Sequence, residues 1–375
     1  MKSCFTKYFF LQLVLMLCPA VASYLHGQDQ DSTRMVKVFA YPLGYYSPET
    51  RIGIGAAGAL NFIANRNDSI TPASQITFGI GTSQNKQYTL SLPFAYYSEK
   101  RKHNLTGEFS LNDFNYNFYG IGDENESEYA SKYSLKYTLF RLNYLYQFRD
   151  HLFAGVRWWF ENDNIKNFEL HPEFTDSFPG INGGISSGPG VVFQFDNRDN
   201  IYYSTKGCYL ELVWHDQSSA WGSDFKFTRY RFDFRHFYPL THRSTLATNF
   251  FGDFTNGDVP FGQLALLGSG RRGRGFYQGR YRDNSILLYQ GELRKNLDNK
   301  LAVTAFWVYG LMSNQIKHFS LRQDHGSVGF GIRYFFDKRS KTTIRLDLAW
   351  PVGEGIYLED PDNALKIYFT VNEAF

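Results

Sequence analysis

Phe140-Arg141-Leu142-Asn143-Tyr144-Leu145-Tyr146-Gln147-Phe148 sets Phe140, Leu142, Tyr144, Tyr146 and Phe148 on one phase and Arg141, Asn143 and Gln147 on the other. Successive side chains of a strand point to opposite faces, so a period of two sorts these residues onto an apolar and a polar side. The same sorting recurs at Tyr230, Phe232 and Phe234 against Arg229, Arg231, Asp233 and Arg235. It recurs again at Ile344, Leu346, Leu348 and Trp350 against Arg345, Asp347 and Ala349. Between Val36 and Phe375 no stretch long enough for a globular helix carries a convincing 3.6-residue stripe, so the chain reads as all-β.

Alternation alone fits two architectures. A soluble sandwich turns the polar face to water and the apolar face to a shared core, whereas a transmembrane barrel turns the apolar face to lipid and the polar face to its lumen. Three features favour the barrel: an export signal, strands of ~10 to 14 residues where globular ones average ~5 to 6, and aromatic density. Aromatic residues make up 18% of the chain, with 27 Tyr and 36 Phe, which suits girdles at two membrane interfaces.

The signal lies at residues 1–22. Lys2 and Lys7 supply a positive start, Phe9 to Leu17 an apolar run, and Ala20-Val21-Ala22 a small-residue cleavage site. Leu17 stands where a lipoprotein signal ending at Cys18 would carry a small residue. Removal of the signal takes Cys4 and Cys18 with it and leaves Cys208 alone, so no internal disulfide is expected. The net charge of +3 is too small to make the whole surface a polyanion-binding one. With a mean hydropathy of −0.38 the chain is neither a helical membrane protein nor disordered. The expected organisation is a signal at 1–22, a short periplasmic segment at 23–35 and one barrel at 36–375, located in the outer membrane and surrounded by its lipid.

About sixteen strands are expected, near 36–42, 51–63, 73–84, 87–97, 103–113, 129–148, 151–162, 184–196, 206–217, 224–238, 243–255, 284–298, 300–311, 325–337, 340–350 and 364–375. An even count suits a closed barrel. From residue 103 onward long connections (114–128, 163–183, 256–283, 312–324, 351–363) mostly alternate with tight ones (Arg149-Asp150, Asn299, Lys338-Arg339), as outer loops alternate with periplasmic turns.

One connection stands apart. Leu266 to Asn284 carries Arg271, Arg272, Arg274, Arg280 and Arg282 among Gly268, Gly270, Gly273, Gly275 and Gly279, and a loop that flexible and cationic needs a place for its charge. The stretch Arg274-Gly275-Phe276 resembles the Val-Arg-Gly-Phe signature of the outer-membrane assembly-factor and surface-antigen barrel family. That family includes the barrel-assembly-machinery core subunit and two-partner-secretion transporters. Phe195-Asp196-Asn197-Arg198-Asp199 followed by Ser204-Thr205-Lys206-Gly207 resembles its Asp-x-Arg-Asp turn leading to Pro-x-x-Gly, with Ser204 in place of Pro. Ser327 to Arg333 and Arg345 to Ala349 resemble its two penultimate strands. Tyr368 to Phe375, with Tyr368, Phe369 and Phe375, resembles the terminal strand read by the barrel-assembly machinery during biogenesis. The resemblance spans about 180 residues in order and spacing. Gly273 replaces the usual Val, a departure expected to lessen rigidity.

The resemblance implies a loop folded into the lumen, with Arg274 meeting Asp347 and Glu292 as second candidate. Independently, Glu292, Arg294, Arg333, Arg345 and Asp347 fall on the polar phase of their strands, which gives the lumen wall charges of both signs. A guanidinium suits such a partner because it bonds a carboxylate in two-pronged fashion and stays charged when dehydrated.

Other motifs lead elsewhere and are weaker. Gly268-x-Gly270-x-x-Gly273 lacks the following helix of a dinucleotide site, and an exported chain seldom meets nucleic acid. The nine His show no His-Glu-x-x-His spacing and no Gly-x-Ser-x-Gly elbow is present. No cofactor, metal or catalytic residue is expected. Pro42, expected at the end of a short first strand, cannot donate to a ladder, so the seam with the last strand could be weak and open toward lipid.

Family members handle client polypeptides through periplasmic domains ahead of the barrel, for which this chain is expected to have no room. Two functional classes follow: a barrel that assists insertion or translocation of proteins or lipids, with a separate recruiting subunit, or a plugged structural or binding barrel without transport. A lipid-acting enzyme is a third class.

Overall fold

A computed structural model describes residues 36–47, 51–63, 71–122, 130–172, 178–321, 324–337, 340–353 and 365–375. The expected signal and the segment 23–35 lie outside the described residues. The first half of the wall comprises β1 (Val36–Ser47), β2 (Arg51–Phe62), β3 (Ser74–Ser83), β4 (Tyr88–Tyr97), β5 (His103–Phe118), β6 (Ser131–Arg149), β7 (Leu152–Glu169) and β8 (Gly183–Asp196). Next come β9 (Gly207–Gln217), β10 (Phe227–Pro239) and β11 (Ser244–Gly257), followed by a small inner hairpin of β12 (Ala265–Leu267) and β13 (Tyr281–Asp283). The wall resumes with β14 (Ser285–Asn296), β15 (Leu301–Ser313), β16 (Asp324–Asp337), β17 (Thr342–Val352) and β18 (Lys366–Val371).

Without β12 and β13 these form one sixteen-stranded antiparallel sheet in which every strand pairs with its neighbours in sequence. No helix among the described residues is long and apolar enough to cross a membrane. The sheet is inside-out relative to a soluble protein. Ile54 is 64% and Phe330 53% exposed, while Arg345 and Asp347 on the opposite phase are fully buried. Apolar residues outside and ionic residues inside are what hydrocarbon as the outer solvent requires.

Four strand ends differ from the expectation. β1 continues past Pro42 to Ser47, so Pro42 pairs with Ala56 in mid-strand rather than ending it. A proline is tolerated there because β1 is an edge of the sheet. β5 and β7 run on to Phe118 and Glu169, since alternation continues beyond the membrane-length stretch, and with β6, which starts at Ser131, they pair over that extra length. At ~3.3 Å per residue, such strands outreach a ~30 Å hydrocarbon layer and project as a ribbon on the long-loop side. β18 stops at Val371, because Asn372 takes a left-handed φ of 66° and turns the following residues inward.

The edges β1 and β18 meet through side chains. Tyr41 of β1 and Phe369 of β18 make an edge-on ring contact at 5.0 Å, while Phe39 and Lys37 of β1 reach past β18 to the end of β16, at Phe336 (4.7 Å) and Asp337 (2.7 Å). Among the described residues no backbone ladder joins these two strands.

Candidate functional site

The connection from β11 to β14 turns into the barrel. Its root is apolar: Phe261 lies against Phe118, Tyr133, Phe168 and Phe178 beneath the projecting ribbon. From there β12 and β13 pair Leu267 with Tyr281 and carry the tip, residues 268–280, toward the wall opposite. The glycine fingerprint Gly268–Gly273 thus sits in a hairpin tip, with no helix after it.

Arg274 is the centre of the site. Its guanidinium donates to Asp347 Oδ2 at 2.7 Å and to Glu292 Oε1 at 2.5 Å, and lies 3.6 Å above the Phe306 ring. All three charged side chains are fully buried. Each carboxylate also serves other cations. Asp347 pairs with Arg333 and stands 3.5 Å from Arg345, and Glu292 accepts from Arg294 Nε at 2.7 Å. Arg333 donates further to Glu373 at 2.9 Å. Four guanidiniums therefore share three carboxylates in a space without water access, where each ion depends on its partners.

The backbone of the tip is fixed as well. Ser327 Oγ donates to the Arg274 carbonyl, Gly275 N–H donates to Tyr368 Oη at 2.9 Å and Tyr368 Oη to the Phe276 carbonyl at 3.3 Å. Arg345 donates to the Gly270 carbonyl. Phe276 enters an apolar cluster with Leu267, Ile286, Leu288, Val308 and Met312. Two glycines permit this approach. Gly273 has a φ of 74°, so the residue expected to lessen rigidity occupies a left-handed position a Val would strain. At Gly275, φ 108°, an added Cβ would stand 2.5 Å from Ser327 Cβ.

The structure thus brings Arg274, Gly275, Phe276, Glu292, Arg333, Arg345, Asp347 and Tyr368 to one place. Phe369 lies at the seam, and Phe375 leaves the strand to pack on Phe237 and Ala247. Asp196, Arg198 and Asp199 belong to a separate turn at the opposite mouth. Arg198 grips Asp196 at 2.8 and 3.0 Å, Arg101 joins it at 2.9 Å, and Asp199 accepts from Thr205 N–H and Oγ1 and from Lys206 N–H. Gly207 opens β9 beyond that turn. Sequence reasoning missed Glu373, Phe306 and the link from Arg272 to Asp233 at 3.0 Å. Glu373 lies past the last strand, where no periodicity marks a lumen residue. Among the described residues no group of three or more His, Cys, Asp or Glu side chains could hold a metal ion.

A sixteen-stranded antiparallel wall whose lumen is filled by its own arginine-bearing loop defines a plugged barrel. The chain belongs to the Omp85 superfamily, whose domain matches residues 73–375. Proteins of this superfamily are outer-membrane barrels. No curated protein matches in sequence. Among solved structures, BamA from Haemophilus ducreyi lacking POTRA domains 1–3 is similar, with a TM-score of 0.56, 13% identity, 90% of this chain covered and 70% of that one. CdiB from Acinetobacter baumannii matches at 0.56 with 9% identity, and CdiB from Escherichia coli at 0.56 with 12%. Each match covers 90% of this chain, which spans 60% and 62% of those two. At such identities the likeness speaks for the fold.

Proposed function

We propose that this barrel, in the outer membrane with its short turns toward the periplasm, assists insertion or translocation of outer-membrane proteins or lipids through its seam. The observation that carries this reading is the β1–β18 junction, where Tyr41 and Phe369 meet through their rings and no backbone ladder is formed among the described residues. A mid-strand proline on one side and a strand of six residues on the other leave little to break. The lumen loop bears on the same junction through Tyr368 of β18, so its position and the state of the seam are connected. The partners this implies are membrane lipid, client polypeptides and a periplasmic recruiting subunit.

Depletion of the protein followed by comparison of the outer-membrane proteome tests the role, with loss of a subset of barrel proteins or lipid-exported components expected. Thiol cross-linking of Tyr41→Cys to Phe369→Cys in a Cys208→Ser background should then reproduce the depletion. Full activity with the seam locked would remove the opening from the mechanism. A second reading, a plugged structural or binding barrel without transport, draws on the buried ionic lock of the loop, and an unchanged proteome after depletion would favour it.

A further inference from the structure

The short-turn mouth is covered by two pieces of chain. The connection 197–206, rooted between β8 and β9, crosses it and bonds to distant points of the wall. Tyr202 Oη donates to the Ala73 carbonyl at 2.7 Å, Asn200 Nδ2 to the Ser340 carbonyl at 3.1 Å and Tyr203 Oη to Asn296 Oδ1 at 2.7 Å. Burial holds the Tyr202 hydroxyl well above the ordinary tyrosine range, so it remains a donor. Tyr203 and Ser204 are almost fully buried. From the other side, residues 372–375 bend inward: Asn372 donates to Gln75 at 2.8 Å, Glu373 accepts from Thr343 at 2.9 Å and Phe375 lies on Phe237 and Ala247.

One side chain joins the two pieces. The Arg294 guanidinium donates to the Ser204 carbonyl at 3.4 Å and to the Phe375 backbone oxygen at 3.1 Å, and lies 5.5 Å from the ring centres of Tyr203, Phe237 and Phe375. Its remaining Nε–H donates to Glu292, whose other oxygen takes Arg274 of the lumen loop. A continuous chain of charge-assisted bonds therefore runs from the loop, through one carboxylate, to the covering at the far mouth.

The lumen is unevenly filled. Inward residues of β14 to β17 are packed, whereas those of β2 to β4 are small and partly open, among them Ala57, Thr77, Gly79, Gly81 and Ser91. A Cβ on Gly79 would meet nothing within 4 Å.

We propose that residues 197–206 and 372–375 form a floor bolted by Arg294, and that Arg274 holds this bolt through Glu292. The two ends of the barrel are then coupled, and release of the loop opens the floor onto the small-residue half of the lumen. Glu292 is the two-faced element: with Arg274 gone its charge is satisfied by fewer bonds, and Arg294 is drawn off the floor toward it. The coupling holds whether or not client chains cross the seam.

The test uses the full chain in lipid vesicles, with the other cysteines replaced and Ser204→Cys as a maleimide reporter. Folding is verified by heat-modifiable gel mobility. Arg294→Met and Arg274→Met should each raise the labelling rate on the order of tenfold, because labelling follows the population of the open floor. Arg141→Met, which removes a lumen guanidinium held by Glu108 at 2.5 Å on β6, should leave the rate within about twofold. No change in Arg294→Met overturns the bolt. A rise in Arg294→Met without one in Arg274→Met overturns the coupling, and an equal rise in Arg141→Met reduces the effect to general loosening. Should Arg294→Met not fold, Arg294→Lys keeps a charge on Glu292 but cannot span both backbone oxygens. Its labelling must still rise, and an unchanged rate refutes the proposal.

Discussion

Removing Asp347 should destabilise the barrel more than removing Arg274, although the two groups form one ion pair. Asp347 serves Arg274 at 2.7 Å, Arg333 and, at 3.5 Å, Arg345. Asp347→Asn leaves four buried guanidiniums facing Glu292 and Glu373 alone, and an uncompensated buried charge of this kind costs about 3 to 5 kcal/mol. Arg274→Met forfeits two charge-assisted hydrogen bonds, but it leaves three guanidiniums for three carboxylates, so a smaller net loss of about 1 to 3 kcal/mol is expected. A gap of ~1.4 kcal/mol is tenfold in the unfolding equilibrium, within reach of denaturant titrations followed by tryptophan fluorescence in vesicles. The double variant should lose less than the sum of the singles by about 1 to 3 kcal/mol, because the groups share a network. A reversal of charge at both positions would not restore the pair, since Arg at 347 would face Arg333 and Arg345. Equal losses in the two singles, or a larger loss in Arg274→Met, would refute the charge count as the organising quantity.

Gly275→Val places a branched side chain at a φ of 108° with Ser327 in its way, so the tip should withdraw from the wall. Trypsin should then cut at Arg271 or Arg272 in folded, vesicle-inserted protein, where the parent resists, and equal resistance would show that the wall yields instead. Phe261→Ala removes the ring shared by Phe118, Tyr133, Phe168 and Phe178 and should weaken the projecting ribbon by about 3 to 5 kcal/mol. Hydrogen exchange should accelerate in residues 131–138 but not in 140–148, and acceleration throughout β6 would show that ribbon and wall unfold together.

The wall was legible because its period of two is long and uninterrupted, as in 140–148, and because aromatic outward faces are unlike those of a soluble sheet. The lumen charges were legible from the same phase: Arg345 and Asp347 could only face inward once Leu346 and Leu348 faced out. The meeting of Arg274 with Asp347 spans 73 residues, and a family resemblance suggested it rather than spacing. The floor was not legible. Its bonds join residues separated by 129 and 140 positions, from a connection with the composition of an ordinary turn. Nor was the inward bend after Val371, since a left-handed asparagine leaves no periodic trace.

The loop is held by two anchors of different physical kind. Its root is an apolar cluster under the ribbon of β5 to β7, and its tip is an ionic lattice buried in the wall of β14 to β18. Apolar contact is non-directional and tolerates small shifts, so the root can act as a pivot. The ionic tip depends on distances and forks of guanidinium and carboxylate, so a displacement of an ångström or two breaks several bonds together. Loss of such a catch would release its bonds together rather than one by one. Arg282, bonded to the Phe261 carbonyl at 3.2 Å and to the Gly279 carbonyl at 3.3 Å, stiffens the arm between root and tip. Force on the root is thereby delivered to Arg274, where Glu292 passes it to Arg294 and the far mouth.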